Sequence, residues 1–312
     1  MPAKLPVGAR VVQFLTVERE EYGVQGSLAY CEACGRIPTM AWYHLLILFS
    51  AAVLGGAINA VAGGGTLLTF PALILVGQQA IMANATNTVA LWPGALSSFW
   101  GYRSELGCHR REILFLAVPS FLGGLLGAWL LVITDASTFA LLVPYLILLA
   151  TGLFIVQEPI ARWQRRRAEF SGDGVPANAE SAVAAAFGHA ATPLRWLAVL
   201  LFQFLIGVYG GYFGAGIGIL MLAAYGILGF SNIHQANAIK NLNAMFINGI
   251  AAVLFIAKGL IDWPIAALMA AGAIFGGYAG AGTARRLGQK NVRRLVILIG
   301  LTLAVKMLLK RD

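Results

Sequence analysis

Lys240 stands in an otherwise uncharged apolar stretch, within the run Asn237-Ala238-Ile239-Lys240-Asn241-Leu242-Asn243. A lysine at the centre of a membrane helix costs about 2.5–3.5 kcal/mol on insertion scales, so it needs either a function or a route to the surface. Asn237, Lys240, Asn241 and Asn248 recur at i, i+3, i+4 and i+11, which is one helical face. A single positive charge among neutral amide donors suits a small oxyanion. Asn84, Asn87 and Thr88, with Thr86 beside them, share a face by the same spacing and would lie opposite the lysine. No acidic residue lies deep in any apolar run, which argues against a carboxylate cation site. The alternative is that Lys240, about one turn into its span, snorkels to the headgroups.

Two glycine clusters offer a second kind of binding group. Gly63-Gly64-Gly65-Thr66 and Gly210-Gly211-Tyr212-Phe213-Gly214-Ala215-Gly216 can unwind a helix at low cost, because glycine tolerates dihedrals that other residues avoid. Each half-helix starting at a break would aim its first N–H groups at an anion. The expected substrate-binding set is therefore Lys240, Asn237, Asn241, Asn84, Asn87, Thr88 and Asn59, with backbone from Gly64, Gly65, Gly214 and Gly216. Tyr209 and Tyr212 could add donors or simply pack. His234, beside the Asn-Lys face, is a candidate for carrying a coupling proton, the alternative being an interfacial histidine. Gly123, Gly127, Gly276 and Gly280 read instead as small residues that let helices approach closely.

The elements that must hold these residues are membrane helices. Hydrophobic residues make up 59% of the 312-residue chain and charged residues 11%, against about 25% charged in a soluble domain. Mean hydropathy is +0.78. Apolar runs place spans near 42–62, 84–104, 113–134, 137–157, 195–215, 236–257, 263–284 and 293–309. Runs 66–77 and 217–229 are too short to cross a core of about 30 Å at about 1.5 Å per residue. An internal repeat relates the halves. Gly63-Gly64-Gly65 matches Gly214-Ala215-Gly216 at an offset of 151. Ala83-Asn84-Ala85 matches Ala236-Asn237-Ala238, and Gly123-Gly124 matches Gly276-Gly277, at 153.

The net charge of +9 fits cytoplasmic loops under the positive-inside rule better than nucleic-acid binding. Arg103, Arg110 and Arg111, then Arg162, Arg165, Arg166, Arg167 and Arg195, then Arg285, Arg286, Lys290, Arg293 and Arg294 mark three such loops. All three fall inside only if each glycine-broken segment enters and returns, which makes the two halves oppositely oriented. The expected fold is an all-α membrane protein, a helical bundle of two inverted repeats. Each repeat is a glycine-broken (re-entrant) hairpin plus three transmembrane helices. Residues 40–157 form the first repeat, 158–194 a cytoplasmic basic connector and 195–312 the second repeat. Residues 1–39 read as an N-terminal extension, disordered or a mis-called start with Met40 as the true one. Cys31, Cys34 and Cys108 are too few for a closed zinc site. No carboxylate pair, HExxH or Ser–His–Asp set suggests an enzyme.

The runs Ala57-Ile58-Asn59-Ala60-Val61-Ala62-Gly63-Gly64-Gly65, Ala83-Asn84-Ala85-Thr86-Asn87, Gly210-Gly211-Tyr212-Phe213-Gly214-Ala215-Gly216-Ile217-Gly218 and Gln235-Ala236-Asn237-Ala238-Ile239-Lys240-Asn241 resemble the TauE/SafE sulfite exporter family (TSUP permeases). The resemblance covers roughly residues 42–309. It implies a permease of the eight-span type in the inner membrane, moving sulfite or sulfur-containing organic anions outward. The expected function is a secondary transporter exporting such an anion by alternating access. An anion channel, or an uptake permease for a related oxyanion, is the alternative. The expected partners are a small anionic substrate and the lipid bilayer, with no nucleic acid, no cofactor and no metal. A homodimer is compatible with the sequence.

Overall fold

Each apolar run forms a helix in the computed structural model, which describes residues 42–61, 63–102, 110–170, 193–227, 233–283 and parts of 297–309. The first half holds α1 (Trp42–Val61), α2 (Thr66–Leu75), α3 (Ala80–Tyr102), α4 (Arg110–Ile133) and α5 (Ala136–Phe170). The second holds α6 (Pro193–Tyr212), α7 (Ile217–Ile227), α8 (Ile233–Ala257) and α9 (Trp263–Thr283), followed by helical residues within 297–309. Among the described residues there is no strand. The expected extension over residues 1–39 lies outside them.

Among the described residues four helical segments are long and apolar enough to cross a membrane: Trp42–Ala60, Phe115–Ile133, Ala136–Val156 and Ala236–Ala257. The other expected spans differ for identifiable reasons. α3 has 23 residues, enough for a bilayer core of about 30 Å, but Asn84, Thr86, Asn87 and Thr88 dilute its apolar character. The apolar parts of α6 and α9, Leu197–Tyr212 and Trp263–Tyr278, are shorter. α5 runs past the expected end at residue 157 to Phe170, through Gln, Glu, Ala and Arg residues that favour helix. Its 35 residues extend about 52 Å, well beyond the thickness of a bilayer core.

The helices bury a stripe and expose an apolar back. On α5, Phe139, Val143, Ile147, Ala150 and Phe154 are buried at helical spacing, while Leu142, Tyr145, Leu149 and Ile155 are exposed. Leu122, Leu126 and Trp129 of α4, Leu201 and Leu205 of α6, and Phe275 and Tyr278 of α9 are exposed as well. Large apolar side chains on the outward faces of α4, α5, α6 and α9 are what a lipid-facing bundle requires.

Packing inside residues 46–312, which form one unit, is reciprocal between the halves. α3 packs on α8, α4 on both α6 and α8, and α9 on α3. Glycines set the closest approaches, since a Cβ on Gly123 would meet the Phe204 carbonyl oxygen and one on Gly276 the Val53 carbonyl oxygen. Gly123 and Gly276 are 153 residues apart, Val53 and Phe204 are 151 apart, and so the two contacts are the same contact made twice. Likewise Gly124 sits against Ile247 and Gly277 against Gly94, pairs related by the offset of 153. The small-residue reading of these positions therefore has a definite partner for each of Gly123, Gly127 and Gly276: Phe204, Val208 and Val53.

Both glycine clusters interrupt a helix in the same way. Gly63 and Gly214 adopt φ of +79° and +78°, the left-handed region that only glycine enters freely. Each donates its N–H five residues back, Gly63 to the Ile58 carbonyl at 3.2 Å and Gly214 to the Tyr209 carbonyl at 3.3 Å. This is the 6→1 bond of a Schellman-type stop. α2 and α7 restart a few residues later, 10 and 11 residues long. The second break has an additional left-handed glycine, Gly216 at φ +79°, and Tyr209 braces it by donating its hydroxyl to the Ala215 carbonyl at 2.8 Å.

Candidate functional site

A helix that stops inside a bundle leaves its last carbonyls and the first N–H groups of its successor without helical partners. Here the carbonyls are capped from the opposite half. Lys240 of α8 donates from Nζ to the Asn59 carbonyl at 3.3 Å and the Ala60 carbonyl at 3.4 Å, at the end of α1. Asn84 of α3 donates from Nδ2 to the Tyr212 carbonyl at 3.0 Å, at the end of α6. Lys240 is only 1% exposed, so it does not reach the exterior of the bundle. The snorkelling alternative is thereby set aside, and the C-terminal dipole of α1 offsets part of the cost of burying the ammonium.

A cavity lies between the two breaks. Asn59 and Gly63 line it from the first break, Thr66 from the start of α2, and Gly214, Ile217 and Gly218 from the second break and α7. Thr88, Leu91 and Ala95 line it from α3, and Lys240, Asn241, Ala244 and Asn248 from α8. Thr88 and Asn241, Leu91 and Ala244, and Ala95 and Asn248 are each 153 residues apart. The cavity thus lies where the two halves meet symmetrically. Its polarity does not follow that symmetry. The second half contributes Lys240 where the first has Asn87, and Asn248 where the first has Ala95.

Of the residues singled out by sequence, Asn59, Thr88, Gly214, Lys240 and Asn241 come together on this cavity. Asn84, Asn87 and Asn237 do not line it, though all three are buried and the Oδ1 of each lacks a hydrogen-bond partner. Gly64 faces the Phe154 ring, Gly65 the Gly55 carbonyl and Gly216 the Ala150 backbone. The side chain of His234 lies outside the described residues. Tyr212 donates its hydroxyl to Thr134 Oγ1 at 3.4 Å and Tyr209 braces its own break, so both act on the fold around the site. Thr66, Asn248 and Gly218 line the cavity without having been selected. Thr66 directly follows the first glycine cluster, and Asn248 shares the face of Lys240, which are the signals that pointed to them.

Two features define what the cavity can hold. Its described side chains include one ammonium and no carboxylate. Asn241, which lines the cavity, is 3% exposed and its Nδ2 is buried without a hydrogen-bond partner, which is costly.

Comparison with known proteins agrees with a transport role. A "Probable membrane transporter protein" of Haemophilus influenzae is 31% identical over 269 residues, covering 84% of this chain and 94% of the relative. The "Probable membrane transporter protein ORF9" of a Sinorhizobium species is 28% identical, covering 86% of this chain and 94% of the relative. The "Probable membrane transporter protein YfcA" of Escherichia coli K12 is 27% identical, covering 84% and 88%. No solved structure matches the chain. The family described as "Sulfite exporter TauE/SafE" matches residues 48–307, and the chain belongs to that family.

Proposed function

We propose that this membrane transporter is a secondary carrier that exports a small sulfur-containing anion, of the sulfite or organosulfonate type, across the inner membrane. The observation that carries the reading is the cavity where two helix breaks, Lys240 and the unpartnered Asn241 donor meet with no carboxylate among the described lining residues. The family description supports sulfur oxyanions as the class. Alternating access would come from motion of one half against the other about the cavity, which fits the reciprocal packing and the positive-inside distribution of the basic loops. All three loops fall on the cytoplasmic side if the two halves are oppositely oriented. Export is downhill for an anion leaving a negative interior, by about 2.3 kcal/mol per charge for each 100 mV. A coupling proton is therefore optional for an outward carrier.

The test is uptake of radiolabelled sulfite into proteoliposomes holding the purified protein. Saturable flux is expected, falling at least about tenfold in Lys240→Ala, since a lost hydrogen bond to a charged group is worth about 1.5–3 kcal/mol. Flux that is unchanged in a folded Lys240→Ala variant would overturn the assignment of the site.

A further inference from the structure

The two helix breaks are capped by groups of different charge. At the end of α1 the Lys240 ammonium is held by the Asn59 and Ala60 carbonyls. At the end of α6 the neutral Asn84 amide donates to the Tyr212 carbonyl at 3.0 Å. Each helix C-terminus carries about half an elementary negative charge. Lys240 brings a full positive charge to one end, and Asn84 brings none to the other. The unmet atoms lie on that second side. Asn84 and Asn87 are each 1% exposed, and the Oδ1 of each is buried without a hydrogen-bond partner. For Asn84 the bond to a carbonyl fixes which end of the amide is the donor, so its oxygen is an acceptor lacking a donor.

The repeat adds an independent observation. Asn87 corresponds to Lys240 at the offset of 153, and Gly210 and Gly211 correspond to Asn59 and Ala60 at the offset of 151. The Asn84 contact keeps the same register, since Asn87 follows it by about one turn and Gly210-Gly211 immediately precede Tyr212 in α6. We infer that a monovalent cation such as sodium binds at the end of α6, between the Oδ1 atoms of Asn84 and Asn87 and the Gly210 and Gly211 carbonyls. It has there the role that the Lys240 ammonium has at the end of α1. An asparagine is too short to carry a charge to those carbonyls itself, and a hard cation takes oxygen ligands of this kind. Unwound carbonyls and half-helix C-terminal ends hold sodium in other broken-helix carriers. Ligands that are all neutral do not compensate a second charge removed from water, which limits the ion to a single one. The absence of deep acidic residues in the apolar runs excludes a carboxylate site but not one of amide and peptide oxygens. The site lies beside the cavity, which neither Asn84 nor Asn87 lines, and it does not depend on which anion the carrier moves.

Thermal unfolding of the purified full-length protein in detergent, in sodium chloride against choline chloride at equal ionic strength, tests this without measuring transport. The melting temperature should rise saturably with sodium, by about 5 °C at 100 times the dissociation constant. Asn87→Ala removes one ligand and should raise the half-saturating sodium concentration at least about tenfold. Asn87→Lys puts an ammonium where the other half has one, and should melt without any sodium dependence; the alanine variant decides if the lysine variant does not fold. Coincident melting curves in sodium and choline would overturn the site. A sodium response left unchanged in either folded variant would place the ion elsewhere and overturn it equally.

Discussion

Lys240 is buried for the same reason that the helix break survives: each supplies what the other lacks. The end of α1 presents the Asn59 and Ala60 carbonyls, and the ammonium presents donors to them. With two acceptors engaged, an ammonium retains a third N–H, and Lys240 remains part of the cavity wall. Gly63 shows how tightly this junction is built. A Cβ there would meet the Cα of Gly218, and one on Gly218 would lie 2.6 Å from the Gly63 Cα and 3.1 Å from Lys240 Cδ. Gly77 has a comparable positive φ of +91° but nothing within 4 Å of an added Cβ. Substitution by alanine should therefore cost about 1–2 kcal/mol of left-handed strain at Gly77, and about 1–3 kcal/mol more at Gly63, where backbone must shift. Thermal unfolding in detergent checks this. Equal melting temperatures for Gly63→Ala and Gly77→Ala would contradict the close crossing of the two breaks.

At the scale of elements, the halves share a plan but not a chemistry. Ser120 of α4, Gln203 of α6, Tyr225 of α7 and Asn243 of α8 form a buried chain. Asn243 Nδ2 donates to the Tyr225 hydroxyl at 2.7 Å, the Tyr225 hydroxyl to Gln203 Oε1 at 3.5 Å, and Gln203 Nε2 to Ser120 Oγ at 2.7 Å. Their counterparts under the repeat, Ala273 for Ser120 and Ala52, Ile74 and Ala90 for the other three, are all apolar. The second half-helix is thus tied to α6 and α8 by hydrogen bonds at Tyr225, a link for which α2 has no counterpart residue. Gln203→Leu should destabilise the protein by about 1–3 kcal/mol, the cost of leaving buried partners unpaired. A melting temperature unchanged from the natural protein would show that the chain carries no stability. The helices themselves were legible in the sequence, because runs of about 20 apolar residues have few other uses. The breaks were legible as well, because adjacent glycines such as Gly63-Gly64-Gly65 weaken a helix. The depth of the site along each polar face was not. Asn237 lies on the same face as Lys240 and Asn241, within an arc of about 100°, but a turn nearer the start of α8 than the cavity that Lys240, Asn241, Ala244 and Asn248 line. Asn84 could be read as a ligand for substrate, whereas it caps the Tyr212 carbonyl; a helix end that needs a donor is invisible until the fold brings it close. The extension of α5 to Phe170 escaped an apolar-run reading because its last residues are polar helix formers.

For the whole molecule, the reciprocal glycine contacts and the symmetric wall pairs put one cavity between two halves of common plan. A site at such a position can be opened toward either side by similar motions of similar elements, which is the physical basis of carriage as opposed to conduction. A carrier moves its substrate by returning, so labelled substrate on one side exchanges against unlabelled substrate on the other; an open pore has no such return step. Sulfite counterflow in proteoliposomes tests this most directly. Vesicles loaded with excess unlabelled sulfite and diluted into a trace of labelled sulfite, with the membrane potential clamped at zero, should accumulate label transiently above its equilibrium level, and Lys240→Ala should remove that overshoot. Label that equilibrates without an overshoot in the natural protein, equally fast in Lys240→Ala, would contradict a carrier centred on this cavity.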